Sequence, residues 1–439
     1  MLDIKFIREN AELIALGAVK KHIPFDVQKL LEVDDKRKKL SQEVEEKRAR
    51  QNKVSEEVAR LSSPEGSADG GQAKADLIRQ MQPLKEETQK LEEELKEVMV
   101  EWQKLMVSVP NIPDVSVPEG DDDAANVEVR RWGPASSAGG DIPKFDFTPK
   151  DHIELMENLD LADFETGAKV AGFRGYFLKN EGAELSFALW QLSVDLFRKN
   201  HPEYSMMLVP SLVKRETLLG SGYLPQGEDD LYHTQDNDYL AGTAEVATMS
   251  YFSDKVYEKK DLPMKKFAFS PAFRREAGSY SKDTKGLYRV HEFMKFEQVI
   301  ICEASHEESV KYHEELLANA EQILQALELP YHVVVNCGGD LGLGQVKKYD
   351  IETWIPSKNK YGETHSCSYF HDFQTRRLNI KYRDSDNKLK FAHSLNNTAL
   401  ATPRILIQLL ENNQLSDGSI VIPKALRPYM GGKEKISKK

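Results

Sequence analysis

The chain has 439 residues, of which 40% are hydrophobic and 30% charged, and its formal net charge at pH 7 is −11. This hydrophobic share excludes a fully disordered chain, and the sequence has no run of about 18 apolar residues to span a membrane. The negative charge predicts no strong overall attraction to nucleic acid, so such a partner would need a local basic patch. Three well-separated cysteines, without CxxC or HxxxH pairs, exclude a disulfide scaffold and predict no structural zinc. Because MLDIKFIREN resembles neither a secretory nor a transit signal, we expect a cytoplasmic protein.

The N-terminal part of the chain is predicted to be helical. A short helical opening over about 3–18 precedes two long helices that together span about 27–107. In both long helices apolar residues recur at alternating spacings of three and four, which is typical of a coiled-coil seam. The breaker-rich segment SSPEGSADGG (62–71) separates the helices and predicts an antiparallel hairpin, with each helix about 50 Å long and projecting into solvent. Pro83 is expected to kink the second helix.

Basic residues cluster on the first long helix. They are Lys36, Arg37, Lys38, Lys39, Lys47, Arg48, Arg50 and Lys53. Acidic residues are nearly as frequent, since 26–61 contains ten basic and nine acidic residues. The charges alone therefore favour an ordinary solvated coiled-coil face, and the alternative is a rigid probe that contacts the phosphates of a structured RNA. The seam residues Arg37, Lys47 and Gln51 are polar, and we expect them to set the register of the two helices.

Residues 111–144 form a predicted connector that is rich in Pro, Gly, Asp and Ser, and the composition changes from about residue 145. Over 145–439, helical stretches alternate with β-branched and aromatic runs, which predicts an α+β domain. Neither GxGxxG nor GxxxxGK[ST] occurs in the chain. A nucleotide would therefore be held without either of these common phosphate-binding loops.

The densest set of chemically suited residues lies in FAFSPAFRREAGSYSKDTKGLYRVHEFMKFEQV (267–299), which predicts a strand, a long loop and a second strand. Arg274 and Glu276 are two residues apart, so on a strand they share a face. A guanidinium there can grip a phosphate or a carboxylate, and a carboxylate can accept a hydrogen bond from an exocyclic amine. One face of the second strand carries Arg289, Phe293 and Glu297. The phenyl ring of Phe293 is suited to stacking on a base.

This segment resembles motif 2 of the class II aminoacyl-tRNA synthetases, in the form found in the seryl-tRNA synthetase family. The other motifs follow in family order: motif 1 over about 183–210, the serine-binding loop in LAGTAEV (240–246), the metal- and ATP-binding strand in ETHSCS (363–368), and motif 3 over about 389–412. The resemblance covers essentially the whole chain. It implies a tRNA-binding domain at 1–110 with the helical hairpin, a connector at 111–144, and a catalytic domain at 145–439. The implied α+β fold places a mainly antiparallel sheet flanked by helices after the coiled-coil hairpin.

The resemblance also implies roles for individual residues. ATP-binding roles fall on Arg274, Arg275, Glu276, Arg289, Val290, Phe293, Glu363, Thr364, His365, Ser366 and Arg404. Serine-binding roles fall on Thr243, Ala244, Glu245, Arg274, Glu297 and Thr398. Glu363 and Ser366 would hold Mg²⁺, and Arg274, Arg289 and Arg404 would be the catalytic arginines. Pro210 would lie at the interface of a homodimer.

The implied reaction attaches L-serine to tRNA(Ser) with ATP, through a seryl-adenylate that releases pyrophosphate and then AMP, and extends to tRNA(Sec) where that RNA is present. The helical hairpin would contact the long variable arm of the tRNA, and the acceptor end would enter the catalytic domain. Two alternatives remain: a synthetase-like RNA-binding subunit without catalysis, and a ligase that charges a carrier protein. The full set of predicted ATP residues argues against the first alternative, and the hairpin argues against the second.

Some positions depart from the residues most frequent in the family. Thr364, His365 and Tyr369 are the clearest departures, and they leave Glu363 and Ser366 in place. We expect His365 to have a structural role rather than to bind a metal ion. Cys367 is expected to be a small buried side chain, because adenylate formation requires no thiol nucleophile.

Overall fold

The computed structural model describes residues 2–61, 70–134, 142–278 and 285–438. The chain divides into two compact units. The arm unit contains Leu2–Leu16 and Pro24–Val109, and the globular unit contains residues 17–23 and 110–438. Most of the segment predicted to connect the arm helices, residues 62–69, lies outside the described residues.

Helices occur in both units of the described chain and are numbered in chain order. They are α1 (Ile4–Glu9), α2 (Ala11–Lys20), α3 (Val27–Leu61), α4 (Gly70–Val107), α5 (His152–Asn158), α6 (Phe164–Ala171), α7 (Asn180–Asn200), α8 (Arg215–Ser221), α9 (Ala244–Tyr251), α10 (His306–Ala326), α11 (Phe373–Arg377) and α12 (Arg404–Asn412). None of the helices in the described ranges combines the length and the apolar character needed to cross a membrane.

The strands are numbered in the same way. They are β1 (Val127–Trp132), β2 (Ala162–Asp163), β3 (Phe177–Leu178), β4 (Ser205–Leu208), β5 (Leu212–Val213), β6 (Tyr232–His233), β7 (Tyr239–Leu240), β8 (Val256–Glu258), β9 (Met264–Phe273), β10 (Glu292–Cys302), β11 (Tyr331–Val335), β12 (Lys347–Ile355), β13 (Lys360–His371), β14 (Lys381–Arg383), β15 (Leu389–Phe391), β16 (His393–Thr402), β17 (Ile420–Val421) and β18 (Lys435–Ile436).

The arm unit is built on the two long helices. Cross-helix ion pairs join Lys29 to Glu101, Lys36 to Glu94 and Lys47 to Glu87. Along these three pairs the residue number of the α3 partner increases while that of the α4 partner decreases. The helices α3 and α4 are therefore antiparallel. A seam that includes buried Val33, Leu40 and Val98 runs between them. The coiled-coil prediction is confirmed, and α4 continues through Pro83 rather than ending there.

The polar residues of the arm seam make specific contacts across it. The Arg37 guanidinium lies 4.8 Å from the centre of the Trp102 indole ring. The Gln51 amide donates to the Leu84 carbonyl at 3.1 Å and to the Thr88 hydroxyl at 2.7 Å. Because each contact forms at one alignment of the helices only, these residues favour a single register, as the sequence predicts.

The globular unit is organised around an eight-stranded sheet among the described residues, in the order β1-β11-β12-β13-β16-β10-β9-β4. Neighbouring strands are antiparallel except β4 and β9, which are parallel. The edge strand β1 lies inside the segment predicted to be a connector, so that segment is partly strand. The mainly antiparallel α+β fold is confirmed. The sequence did not predict strand β1, because most of its side chains are exposed and give no alternation of buried and exposed positions.

Helices α7 and α10 contribute to the core that supports the sheet. Phe197 on α7 stacks on Phe267 of β9 at 3.9 Å between ring centres, and Phe267 stacks on Phe296 of β10 at 4.7 Å. Helix α10 begins at the Ser305 cap, whose hydroxyl accepts from the backbone N–H of Glu308. Its apolar face is buried in the same core cluster. Strands β10 and β16 lie in the interior of the strand order and pack against this core. A site on these two strands can therefore be held rigidly.

A buried carboxylate ties α1 to the base of the arm. The side chain of Asp34 is fully buried and accepts hydrogen bonds from Arg8 and Arg37, with Lys38 at 3.1 Å. Burial alone would raise the pKa of Asp34, but the bonds from Arg8, Arg37 and Lys38 lower it to about 2. The folded pKa is therefore below the unfolded value, so the stabilisation is complete above about pH 4 and is lost as the pH falls towards 2.

We expect Asp34→Asn to lower the free energy of unfolding of the arm unit by about 2 kcal/mol at pH 7. The exposed Asp35, which contacts Arg8 alone among these cations, provides the matched control, and Asp35→Asn should cost less than about 1 kcal/mol. Amide hydrogen exchange in α1 and the first half of α3 measures both effects. A deficit for Asp34→Asn that stays constant from pH 6 to pH 3 would contradict this account.

Candidate functional site

Two adjoining cavities open on the central strands of the globular unit. Residues lining the first cavity include Arg274, Glu276, Phe293, Glu363, Ser366 and Arg404. Residues lining the second cavity include Tyr223, Glu245, Glu297, Gln345, Phe370 and Asn396. Arg274, Lys295 and Ser366 line both cavities. The two spaces therefore meet at a wall that carries two cationic side chains.

The first cavity lies where β13 and β16 separate. Their ladder includes the pair Cys367 and Asn397, and the next positions towards the cavity, Ser366 and Thr398, are not paired. Both of these residues line the first cavity. Because the strands part here, the space between them is open to a ligand.

A bulge in each strand accompanies this separation. On β13, Glu363 pairs with Glu352 and His365 with the adjacent Ile351, so Thr364 is an extra residue. Glu363 and Ser366 are three residues apart and would face opposite sides of a regular strand. The extra residue shifts the alternation by one, so both side chains line the first cavity.

The corresponding bulge on β16 lies beside the second cavity. Phe296 pairs with Leu400 and Glu297 with Thr398, which leaves Ala399 as the extra residue. Glu297 and Thr398 are thus directly opposite each other across β10 and β16. Their side chains lie at the boundary of the two cavities, since Glu297 lines the second and Thr398 the first.

The residues of the predicted motif 2 meet in the first cavity, although not as the sequence predicts. Strand β9 ends at Phe273, and Glu276 has a φ of 56°, so Arg274 and Glu276 do not share a strand face. They line the cavity because the chain turns after β9. The Arg274 guanidinium lies 5.5 Å from the centre of the Phe293 ring, and its Nε donates to the Gly242 carbonyl at 3.4 Å.

Arg404 is the first residue of α12 and is held by backbone carbonyls. Its Nε donates to the Tyr288 carbonyl at 3.1 Å and its Nη1 to the Glu363 carbonyl at 3.0 Å. The guanidinium also lies 4.8 Å from the centre of the Tyr288 ring. These contacts fix a cation at the N-terminus of α12, beside the predicted metal ligand Glu363. An arginine at the start of this helix is what the predicted motif 3 contains.

Buried acidic groups dominate the boundary with the second cavity. Glu297 pairs with Lys295 at 2.7 Å and accepts a hydrogen bond from the Thr243 hydroxyl at 3.3 Å. Burial raises the pKa of Glu297, and Lys295 opposes that rise. Lys295 is therefore the paired cation that favours the ionised form of this buried carboxylate, next to Arg274.

Glu245, in the first turn of α9, is held at both carboxylate oxygens. The Tyr223 hydroxyl donates to its Oε2 at 2.9 Å, and the Gln374 amide donates to its Oε1 at 2.7 Å. Burial, with the nearby charge of Glu297, raises the pKa of Glu245 to about 7. The second cavity thus presents two carboxylates, one of which can change its charge near neutral pH.

Several predicted site residues do not line either cavity in the described structure. The Arg275 guanidinium donates to the Asp229 carbonyl at 3.1 Å, because adjacent residues Arg274 and Arg275 point in different directions. Arg289 contacts the carboxylate of Glu276, which does line the first cavity, at 2.8 Å. Thr243 and Ala244 are buried at the start of α9, where Thr243 caps the helix. Val290 and Thr364 do line the first cavity.

His365 is also enclosed rather than directed into a cavity. Its Nδ1 lies 2.9 Å from the Thr364 hydroxyl and its Nε2 lies 3.1 Å from the Ala399 carbonyl oxygen. Burial lowers the pKa of His365 to about 4, so the ring is neutral at pH 7. The geometry agrees with a structural role and gives no support to direct contact with ATP.

Sequence reasoning missed some residues that the site uses. Lys295 lies between Phe293 and Glu297 on one face of β10, and this alternation was the available signal. Gln374 lies in the segment DFQTRR, but its contact with Glu245 joins residues far apart in the chain. Tyr223 had no distinguishing local pattern. Their roles depend on tertiary neighbours that one sequence does not reveal.

The loop 342–345 of the second cavity is fixed by a buried lysine. Lys21, which is 2% exposed, donates to the carbonyls of Gly342, Leu343 and Gln345. The Asn111 amide donates to the Gly344 carbonyl at 3.0 Å. Four successive carbonyls therefore accept hydrogen bonds from these two side chains, and this wall of the cavity is rigid.

The donor set of the first cavity fits a magnesium ion bound with a nucleotide. Mg²⁺ prefers oxygen ligands and is commonly held by one or two protein groups together with phosphates and water. Glu363 and Ser366 supply a carboxylate and a hydroxyl on the same side of the cavity. No cluster of three His, Cys, Asp or Glu suited to a metal ion occurs among the described residues.

Comparisons with known proteins agree with this geometry. The model of the tRNA synthetase class II core domain (G, H, P, S and T) matches residues 229–413, and that of the seryl-tRNA synthetase N-terminal domain matches residues 1–113. The serine–tRNA ligase of Deinococcus radiodurans is 44% identical over 435 residues, covering 99% of this chain and 98% of that protein.

Solved structures extend the likeness to the whole fold. The crystal structure of seryl-tRNA synthetase from Pyrococcus horikoshii complexed with ATP has a TM-score of 0.87 and 35% identity, and covers 100% of both chains. That of cytoplasmic serine–tRNA ligase from Naegleria fowleri in complex with AMP has a TM-score of 0.83 and 29% identity, covering 100% of this chain and 99% of that one.

The fold, the two cavities and the core-domain match define an enzyme of the class II aminoacyl-tRNA synthetases. Within that class, the chain belongs to the seryl-tRNA synthetase family, because a full-length relative shares 44% of its residues and the N-terminal domain is the family's own. The family assignment predicted from the sequence is confirmed.

We expect Lys295→Met to lower the free energy of unfolding by about 3 kcal/mol, because it leaves the buried Glu297 carboxylate without its closest cation. The double variant Lys295→Met/Glu297→Gln should recover part of that loss. Chemical denaturation measures both, and Lys311→Met, which removes an exposed pair with Glu308, should cost less than about 1 kcal/mol. Strict additivity of the two site substitutions would contradict the pairing.

Proposed function

We propose that this chain catalyses the ATP-dependent attachment of L-serine to tRNA(Ser) through a seryl-adenylate, in the cytoplasm, and that tRNA(Sec) is serylated in the same way where it is present. The observation that carries the proposal is the position of Arg274 on the wall shared by the two cavities. A guanidinium there can hold the α-phosphate of ATP on one side and the carboxylate of serine on the other. The carboxylate and the phosphorus that it attacks are then brought together.

The first cavity supplies the remaining contacts for ATP. Phe293 offers a ring for the adenine, and Glu276 offers an acceptor for its amino group. Arg404 lines the cavity and is the cation nearest to hand for the polyphosphate, and Arg289, which is paired with Glu276, is proposed as a second. Their fixed positive charge would stabilise the charge that develops as pyrophosphate leaves. Mg²⁺, held by Glu363 and Ser366, would supply further neutralisation of the phosphates when bound.

The second cavity and its boundary supply the contacts for serine. Glu245 is suited to the ammonium group and Glu297 with Thr398 to the hydroxyl group. The buried Thr243 would act on serine through its hydrogen bond to Glu297. Alanine would leave these buried groups unpaired, and sites of this kind discriminate by about 10⁴-fold or more. The acyl group then passes to a ribose hydroxyl at the 3′ end of the tRNA, and no protein nucleophile is required.

Serine-dependent exchange of pyrophosphate into ATP tests the proposal. We expect Arg274→Ala to reduce exchange by about a hundredfold or more, because it removes the donor common to both substrates. Arg275→Ala is the matched control, since its guanidinium lies against the Asp229 carbonyl outside both cavities, and it should change exchange by less than about threefold. Absence of exchange in the parent enzyme would refute catalysis, and exchange with another amino acid would refute the specificity.

The pKa of Glu245 predicts a pH dependence for serine binding. Because the pKa of the empty site is about 7 and the ionised form attracts ammonium, the KM for serine should fall as the pH rises from 6 to 8 and then level off. Below pH 7 the change should approach tenfold per unit. Glu245→Gln should bind serine weakly at every pH and remove this dependence. An unchanged pH profile in that variant would assign the titration to another group.

The arm is proposed to contact the long variable arm of the tRNA. Several of the predicted basic residues are already engaged in ion pairs within the arm: Lys36, Arg37, Lys38, Lys39, Lys47 and Arg48. Arg50 and Lys53 are exposed, and no ion pair involving either is found within the described ranges. These two residues are therefore the best candidates for direct contacts with phosphate.

We expect Arg50→Glu/Lys53→Glu to weaken tRNA charging by at least tenfold while leaving serine-dependent exchange unchanged, because the substitutions act on RNA binding alone. The dependence of log KM for tRNA on log salt concentration should lose a slope of about two. The exposed Lys96 on α4 provides a charge-matched control in Lys96→Glu. Normal charging by the double variant would reject these residues as contacts, and charging of a carrier protein would favour the alternative ligase.

A homodimer is proposed through the free edge of the main sheet. Strand β4 is the last strand of the sheet, and Met206 and Leu208 on it are 56% and 81% exposed. Phe187 on α7 is 66% exposed, and Pro210 follows β4. An exposed edge strand with apolar side chains is the kind of surface that a second copy covers. Sedimentation equilibrium at micromolar concentration distinguishes the dimer from the monomer.

A further inference from the structure

We propose that His365 is a positioning residue. Its imidazole forms a brace, by which we mean a pair of side-chain contacts that joins β13 to β16 where their backbones separate. The brace sets the placement of the binding residues on both sides of the first cavity. The inference rests on the proposed function, because it concerns the binding of ATP and serine. It assigns His365 an action through the two bulges rather than through contact with either substrate.

The brace takes the place of a missing part of the sheet ladder. Continuing the register from Cys367 and Asn397 would bring His365 opposite Ala399, but no pairing of these residues occurs. The imidazole Nε2 instead lies 3.1 Å from the Ala399 carbonyl oxygen. A side chain therefore spans the gap where the backbones no longer pair, at the position where both strands carry their extra residue.

The hydrogen-bonding pattern fixes the orientation of the ring. The Ala399 carbonyl can only accept, so Nε2 carries the proton and Nδ1 is an acceptor. The Thr364 hydroxyl lies 2.9 Å from Nδ1 and 3.1 Å from the Ile351 carbonyl oxygen, so its single proton is shared between these two acceptors, while the Thr353 hydroxyl lies 2.8 Å from it. One side chain thus contacts the extra residue of β13 and the extra residue of β16.

Each bulge residue is adjacent to a residue of the proposed binding site. Thr364 follows Glu363, and both line the first cavity. Ala399 follows Thr398, which lies directly opposite Glu297 of the neighbouring strand β10. Loss of the contact to Thr364 should therefore affect ATP first, and loss of the contact to Ala399 should affect serine first.

Three substitutions separate these contacts. His365→Leu removes both, and it should raise the KM for ATP and the KM for serine by roughly fivefold each, with a smaller change in kcat. In His365→Asn the side-chain oxygen can still accept from Thr364 but the side chain is too short for Ala399, so the KM for serine should rise more than that for ATP. In His365→Gln the amide nitrogen can reach Ala399, but the amide oxygen does not occupy the position of Nδ1 and cannot accept from Thr364, so the order should reverse.

A second buried histidine controls for general loss of stability. His313 is 2% exposed, and its Nε2 lies 2.9 Å from the carbonyl of Cys367 on the same strand, β13. His313→Asn should lower the melting temperature yet leave both KM values within about twofold of the parent. Pyrophosphate exchange supplies the kinetic values, and calorimetric titration with ATP alone supplies affinities even if exchange is absent.

The outcomes separate the brace from the proposed function. A parent enzyme without serine-dependent exchange refutes the function, and ATP affinities of the three variants then still test the brace. An active parent whose His365 variants are less stable but keep both KM values within about twofold would overturn the brace. Equal rises in both KM values for His365→Asn and His365→Gln would overturn the assignment of one contact to each substrate.

Discussion

The site depends on the separation of two neighbouring strands in the middle of a sheet. Thr364 is one residue more than β12 can pair, and Ala399 is one more than β10 can pair. Beside these two bulges β13 and β16 part and leave a cavity between them. The extra residue Thr364 brings the Glu363 side chain to the same side of β13 as the Ser366 side chain. A regular sheet would close this space and turn one of the two away. The surrounding strands remain paired and hold the opening to one shape.

Charge is concentrated at this opening at a cost in stability. Two buried carboxylates, Glu245 and Glu297, share their surroundings with Lys295 and Arg274. Folding buries Glu245, Glu297 and Lys295 and leaves Arg274 partly exposed, and only part of the desolvation penalty is returned by the mutual attraction of these groups. A zwitterionic amino acid carries the two charges that such a pocket lacks, an ammonium for the carboxylates and a carboxylate for Arg274. Binding of the substrate therefore completes the electrostatic balance that the empty enzyme leaves incomplete.

Much of the fold was predictable because it is encoded locally. The spacing of apolar residues predicts α3 and α4, and the order of motifs predicts the domain that follows them. The bulge at Thr364 was not predictable, since one extra residue in a strand leaves no signal in hydrophobic periodicity. Strand β1 was placed in a connector for a related reason: most of its side chains are exposed. The partners of Glu245 lie far away in sequence, and only the folded chain reveals them.

The wall held by Lys21 has a consequence for how ligands enter. Moving loop 342–345 outward would leave the buried Lys21 amine without the backbone oxygens that accept its hydrogen bonds, so this side of the second cavity resists opening. Adaptation to a large incoming group must come from another part of the cavity lining, such as that formed by Tyr223, Gln226 and Gly227. That part of the lining includes the hydroxyl that holds Glu245. A macromolecular acceptor that reached this face would therefore act directly on Glu245, the carboxylate proposed to bind the amino acid.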